Sequence, residues 1–166
     1  MRLRRSLSVF LAVVLGIQPL AAASSITGLT ISPGAISFSS IDPDLSPVNG
    51  SATASVQWSM DGNNTGNWTL TVQSSSSTLI NCSEIPVSAI KLQCTSLAKS
   101  GASNPAGNCA SGVLTLSTNP QVIASGNRQG SSSTFTASIA STFTDSWTYI
   151  PNTSCSAQLT YIVNAQ

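Results

Sequence analysis

Ala52-Thr53-Ala54-Ser55-Val56-Gln57-Trp58 alternates apolar and polar residues without a break. Successive side chains of an extended chain point to opposite faces, so this period of two describes a strand with one face in a core and one in water. The same pattern returns at Trp68, Leu70 and Val72, which alternate with Thr69, Thr71 and Gln73. It recurs at Phe135, Ala137, Ile139 and Phe143, whose intervening residues are chiefly Thr and Ser. Near the end, Ala157, Leu159, Tyr161 and Val163 alternate with Gln158, Thr160 and Ile162. Antiparallel sheets with one solvated face are built from such segments.

Shorter strand candidates fill the gaps at Ile26–Ile31, Ala35–Phe38, Val87–Cys94, Val113–Leu116 and Gln121–Ala124. Between them stand Pro33-Gly34, Asp42-Pro43, Asn49-Gly50, Asp61-Gly62, Asn104-Pro105, Asn119-Pro120 and Gly126-Asn127, dipeptides that favour turns. Ser74–Ser77 closes a strand at the surface, and Ser96–Cys109 reads as a long small-residue loop held at its ends by Cys94 and Cys109. No window keeps a 3.6-residue period over three turns. The expected fold is therefore all-β: an antiparallel β-sandwich of about 8–10 strands, Ig-like in architecture and stabilised by disulfides.

The N-terminus reads as a targeting segment. Arg2, Arg4 and Arg5 precede an apolar run from Val9 to Ile17, and Leu20-Ala21-Ala22-Ala23 supplies a small-residue cleavage site. The run is shorter than the roughly 20 residues that span a bilayer, so a signal peptide (1–23) is preferred to an uncleaved anchor. The mature domain is then residues 24–166, a single β-sandwich. It keeps Lys91, Lys99 and Arg128 against Asp42, Asp44, Asp61, Glu84 and Asp145: three cations minus five anions, or −2, where the whole chain is +1. No basic patch is available for phosphates or for an anionic bilayer, so neither nucleic acid nor, after cleavage, membrane is an expected partner.

Cys82, Cys94, Cys109 and Cys155 are an even set in an exported chain, which predicts two disulfides. Four cysteines allow three pairings, and sequence does not choose among them. Cys82–Cys94 with Cys109–Cys155 is the expectation carried forward. The competing zinc reading fails because there is no C-x-x-C and no histidine in the chain.

Catalytic chemistry finds little to stand on. Without histidine, neither a Ser-His-Asp triad nor a Cys-His dyad exists within the chain. Ser88-Ala89-Ile90-Lys91 followed by Lys99-Ser100-Gly101 imitates the strings of penicillin-binding enzymes, but the two lie 14 residues or fewer apart in strand and loop sequence. Asp42 and Asp44 read as solvated acids in a turn. Asp61-Gly62-Asn63-Asn64-Thr65-Gly66 opens like a calcium loop, yet Val72 stands where a bidentate Glu is required, so a hairpin turn is the simpler account. No enzyme, cofactor or metal site is expected. Asn49, Asn63, Asn67, Asn81 and Asn152 are formal glycosylation acceptors. The alternation points Trp58 and Trp68 inward. Trp147 and Tyr149 fall outside it, as a sugar-stacking pair or as a plug at one end of the sandwich.

Asp61–Gln73, DGNNTGNWTLTVQ, resembles the first motif of the WxL family of bacterial surface proteins: an acidic residue, a Gly/Asn-rich turn, then Trp68-Thr69-Leu70 opening a strand. Glu84-Ile85-Pro86-Val87 is similar to the Ile-Pro segment that follows in such domains, and the strand around Tyr161 to the closing strand with its second aromatic motif. The resemblance implies a secreted, cell-surface protein that binds cell-wall polysaccharide or peptidoglycan non-covalently through a WxL-like sandwich. Trp68, Leu70 and Tyr161 are its motif residues, and Trp147 and Tyr149 are further ligand candidates. The alternative function is a self-assembling structural subunit or adhesin, associating with itself or with other surface proteins.

Overall fold

The computed structural model describes residues 25–38, 43–61, 66–101, 105–128, 132–147, 149 and 155–165. The expected signal segment (1–23), residues 62–65 of the candidate calcium loop, and the acceptors Asn63 and Asn152 lie outside the described residues.

Twelve strands and no α-helix occur among the described residues. The larger sheet runs β1 (Ser25–Ser32), β3 (Ala54–Asp61), β11 (Ser133–Phe143), β7 (Ile90–Gly101) and β9 (Leu114–Thr115), with β2 (Val48–Asn49) paired to the far end of β11. The smaller runs β12 (Leu159–Ala165), β4 (Gly66–Ser74), β10 (Gln121–Arg128) and β8 (Ala106–Cys109). β5 (Thr78–Leu79) and β6 (Cys82–Pro86) form a separate hairpin. Every ladder is antiparallel. The expected sandwich is thus present, with ten strands in two packed sheets and two more beside them.

Alternation decides which side chains meet between the layers. Val56, Trp58 and Met60 of β3, Trp68, Leu70 and Val72 of β4, and Phe135, Ala137 and Ile139 of β11 are all buried. Trp58 and Phe135 stack with ring centroids 5.4 Å apart, and Trp68 closes on them from the other sheet at 5.0 and 4.6 Å. Each such aromatic pair adds about 0.5–1.5 kcal/mol beyond the area it buries. Gly107 on β8 and Gly126 on β10 stand opposite each other beside the Trp68 ring. A Cβ at either position would lie 2.5–2.6 Å from Trp68 Cζ2, so only glycine lets these strands approach the indole.

Many outward positions of the larger sheet are polar and uncharged. Residues directly opposite in an antiparallel ladder share a face, and registers align Thr27, Ser59, Thr134 and Ser100 in one row and Ser32, Ser55, Ser138 and Ser96 in another. Ser59 and Thr134 hydroxyls hydrogen-bond across the strands at 3.0 Å.

Several expectations are corrected. The disulfides are Cys82–Cys155 and Cys94–Cys109, with Cα atoms 5.5 and 5.3 Å apart. Cys94 points inward from β7 and Cys109 lies on β8, so this bridge joins the two layers. The other follows from the bridge Ile80↔Ser156, which lays the approach to β12 against the start of β6. Ser96–Cys109 is not one long loop: β7 continues to Gly101 because β11 offers a partner along its whole length, and β8 begins at Ala106. Gly126-Asn127 is no turn but part of β10, paired on both sides with β4 and β8. Ala35–Phe38 joins no ladder, although Ser51 N–H donates to Ser37 O at 2.8 Å. Finally, β3 and β4 belong to different sheets, so the two strands flanking residues 62–65 do not pair as a hairpin.

Candidate functional site

Among the sequence-selected aromatics, exposure separates framework from surface. Trp68 and Leu70 are wholly buried in the inner face of β4. Tyr161 lies half-buried on β12 opposite Val72, and burial pushes its phenol up to about 12. Desolvation penalises the phenolate, so the hydroxyl is neutral at any physiological pH. These three residues hold β4 and β12 to the core and present little to a ligand. Tyr149 is also partly buried, and its ring packs toward Phe143 at 6.3 Å, with Phe38 5.8 Å from the same Phe143 ring. It serves as the plug, not as one half of an exposed pair.

Trp147 is different. It is 72% exposed, whereas Trp58 and Trp68 are 0% exposed. Its loop is nevertheless fixed at several points. Thr144 N–H donates to Ala89 O at 2.8 Å, Asp145 N–H to Ser46 Oγ at 2.8 Å, and Tyr149 N–H to Ser146 O at 2.9 Å. Ser146 N–H donates to the Asp145 carboxylate at 2.7 Å. The indole itself is steadied by Nε1–H donating to Asp44 Oδ1 at 3.4 Å. Asp44 sits in a 3-10 turn at Pro43–Leu45, and Leu45 beside it is exposed.

The chain therefore brings residues about a hundred positions apart to one end of the sandwich: an indole face open to solvent, the carboxylates of Asp44 and Asp145, and the hydroxyls of Ser46 and Ser146 nearby. An exposed ring loses unfavourable hydration when another flat apolar surface covers it. Carboxylates and hydroxyls around it accept hydrogen bonds from a polyhydroxylated ligand. Asp44 was legible only as a turn acid, because nothing local in Pro43-Asp44-Leu45 announces a partner as distant as Trp147.

The chain matches no family model, and no curated protein or solved structure is significantly similar to it. The site thus rests on its own geometry.

Other sequence motifs disperse. Ser88 lies in a 3-10 turn at Val87–Ala89, whereas Lys91 stands on the outer face of β7 opposite Thr142. Among the described residues no three His, Cys, Asp or Glu side chains come together as a metal cage, and no helix is long and apolar enough to cross a membrane. Two disulfides fit an oxidising, extracytoplasmic compartment. Among the described residues Arg128 is the one buried cation, and its guanidinium donates to Asp61 O at 2.5 Å, tying the end of β10 to the end of β3.

Proposed function

We propose that this is a secreted envelope protein that holds a neutral, hydroxyl-rich polymer non-covalently, with Trp147 as the stacking surface. The N-terminal leader pattern and the paired cysteines support export. One observation carries the binding reading: the only exposed tryptophan of the three follows a backbone hydrogen-bonded to Ser46, and its indole Nε1–H donates to Asp44. A pre-fixed ring binds without first losing conformational freedom, which is where contact energy is otherwise spent. Flanking carboxylates favour a neutral glycan, such as peptidoglycan strands or another cell-wall polysaccharide, over polyphosphate or other anionic polymers.

The likeness to WxL proteins agrees with a wall ligand, but in this reading Trp68, Leu70 and Tyr161 act as framework for the site. Co-sedimentation of the mature protein with isolated peptidoglycan, chitin and cellulose tests the proposal. The protein pellets with at least one of them, and Trp147→Ala stays in the supernatant while melting at the wild-type temperature. A protein that pellets with none, or a Trp147→Ala variant that pellets as well as wild type, overturns it.

A further inference from the structure

β12 is the unprotected edge of the smaller sheet. Its residues Leu159–Ala165 pair with β4 along their full length with no shift of register, and the opposite flank of β12 has no strand partner among the described residues. Strand edges are ordinarily blunted by charge, proline, a bulge, shortness or a cover. The other edges of the two sheets show such devices. β1 is interrupted between Thr27 and Thr30, where Gly28 takes φ 65°; β8 has 4 residues and is stapled to β7 through Cys109; β9 has 2. β12 has no charge, proline, glycine or bulge over 7 residues.

Its outward residues are Thr160, Ile162 and Asn164, and Ile162 is 37% exposed. Register places Ile162 beside Thr71, and Thr71 beside exposed Val122, so this row across the sheet ends at the open edge on an exposed apolar side chain. β1 of the other sheet approaches β12 and also exposes Leu29 and Ile31.

We infer that β12 docks antiparallel on β12 of a second copy, about a two-fold axis at Ile162. This inference is independent of the polymer reading. Electrostatics selects the occupant: an edge with no charge is matched by its own uncharged sequence, with no ammonium or carboxylate to desolvate. A two-fold axis is also the symmetry that makes one patch its own complement. It sets Ile162 against its counterpart, apolar side chain on apolar side chain, across a continuous eight-stranded sheet, twice the 4 strands of each copy. One edge of this length buries less than the roughly 1,200 Å² of a standard stable interface. Association is therefore weak, and it becomes populated where molecules are crowded, as on a surface.

The chemistry of the chain makes a clean test. No free cysteine occurs among the described residues, so an added thiol reports alone. Opposed residues in an antiparallel pair have Cα atoms about 4.5–5.5 Å apart, within the range of a disulfide. Mild oxidation of Ile162→Cys gives a covalent dimer whose yield rises with protein concentration. Val122→Cys, exposed on the same face but two strands in, stays monomeric. Sedimentation velocity shows reversible dimer by about 1 mM, the range of weak association, and Ile162→Lys removes it. Thr160→Lys repeats that loss should Ile162→Lys lower the melting temperature. A single monomeric species up to that concentration, equal crosslinking of the two cysteine variants, or dimers indifferent to both lysines would overturn the inference.

Discussion

Replacing Gly126 with alanine probes the core at its tightest point. The new Cβ would lie 2.6 Å from Trp68 Cζ2 and from Gly107 Cα, and closer still to the carbonyl oxygen of Ala106. Two of these three are backbone atoms of β8, which side-chain rotation cannot move. β8 pairs with β10 only from Ala106 to Cys109, and Cys109 is tethered to Cys94, so the strand has little freedom to withdraw. Overpacking of this kind costs about 1–3 kcal/mol, less the fraction of a kcal/mol that alanine returns through a stiffer unfolded chain. For a domain of this size each kcal/mol lowers the melting temperature by about 2–4 °C. A fall of roughly 1–10 °C in a thermal melt follows, with a matching decrease in urea midpoint at constant slope. Gly34→Ala is the control, because a Cβ there meets nothing within 4 Å; it leaves stability unchanged or slightly higher. Equal melting of Gly126→Ala and wild type would refute the claim that the two glycines exist to admit Trp68.

The disulfides differ in the chain they close. Chain-entropy scaling assigns about 4 kcal/mol to Cys82–Cys155 and about 3 kcal/mol to Cys94–Cys109, with separations of 73 and 15 residues. Paired Cys→Ser variants therefore unfold in that order under urea, and peptide mapping of the oxidised protein recovers these two pairs and not Cys82–Cys94. Tyr161 makes alkaline stability measurable. Its folded value of about 12 lies above the ordinary phenol value of 10.0, so its contribution is complete below pH 10 and is lost as pH rises towards 12. Tyr161→Phe flattens that decline in a series of urea titrations; an unchanged decline would exclude Tyr161 as its source.

Strong local periodicity made the four principal core strands readable. Val56 and Trp58, Trp68 through Val72, Phe135 through Ile139, and Val163 are buried where alternation places them. Failures arose where a long-range partner overrides local chemistry. Gly126-Asn127 has the composition of a turn, yet the glycine is required by an indole from another strand. Ser96–Gly101 lacks β-branched and aromatic residues, and β11 carries it into the sheet by pairing alone. Disulfide connectivity and the meeting of Asp44 with Trp147 depend on which loops share an end of the sandwich, which no spacing encodes. Exposure was equally hidden: Trp68 carries the family-like motif and is buried, while Trp147 carries none and is open to solvent.

Acrylamide quenching of tryptophan emission addresses the binding surface most directly. With three tryptophans in the chain and two of them wholly buried, the emission divides into shielded light and one accessible component that disappears in Trp147→Ala. Adding the polymer that co-sediments with the protein shields that component, and Trp147→Ala binds at least about 30-fold more weakly, the roughly 2 kcal/mol of an interface anchor. Quenching of Trp147 that is undiminished by saturating polymer would contradict the account.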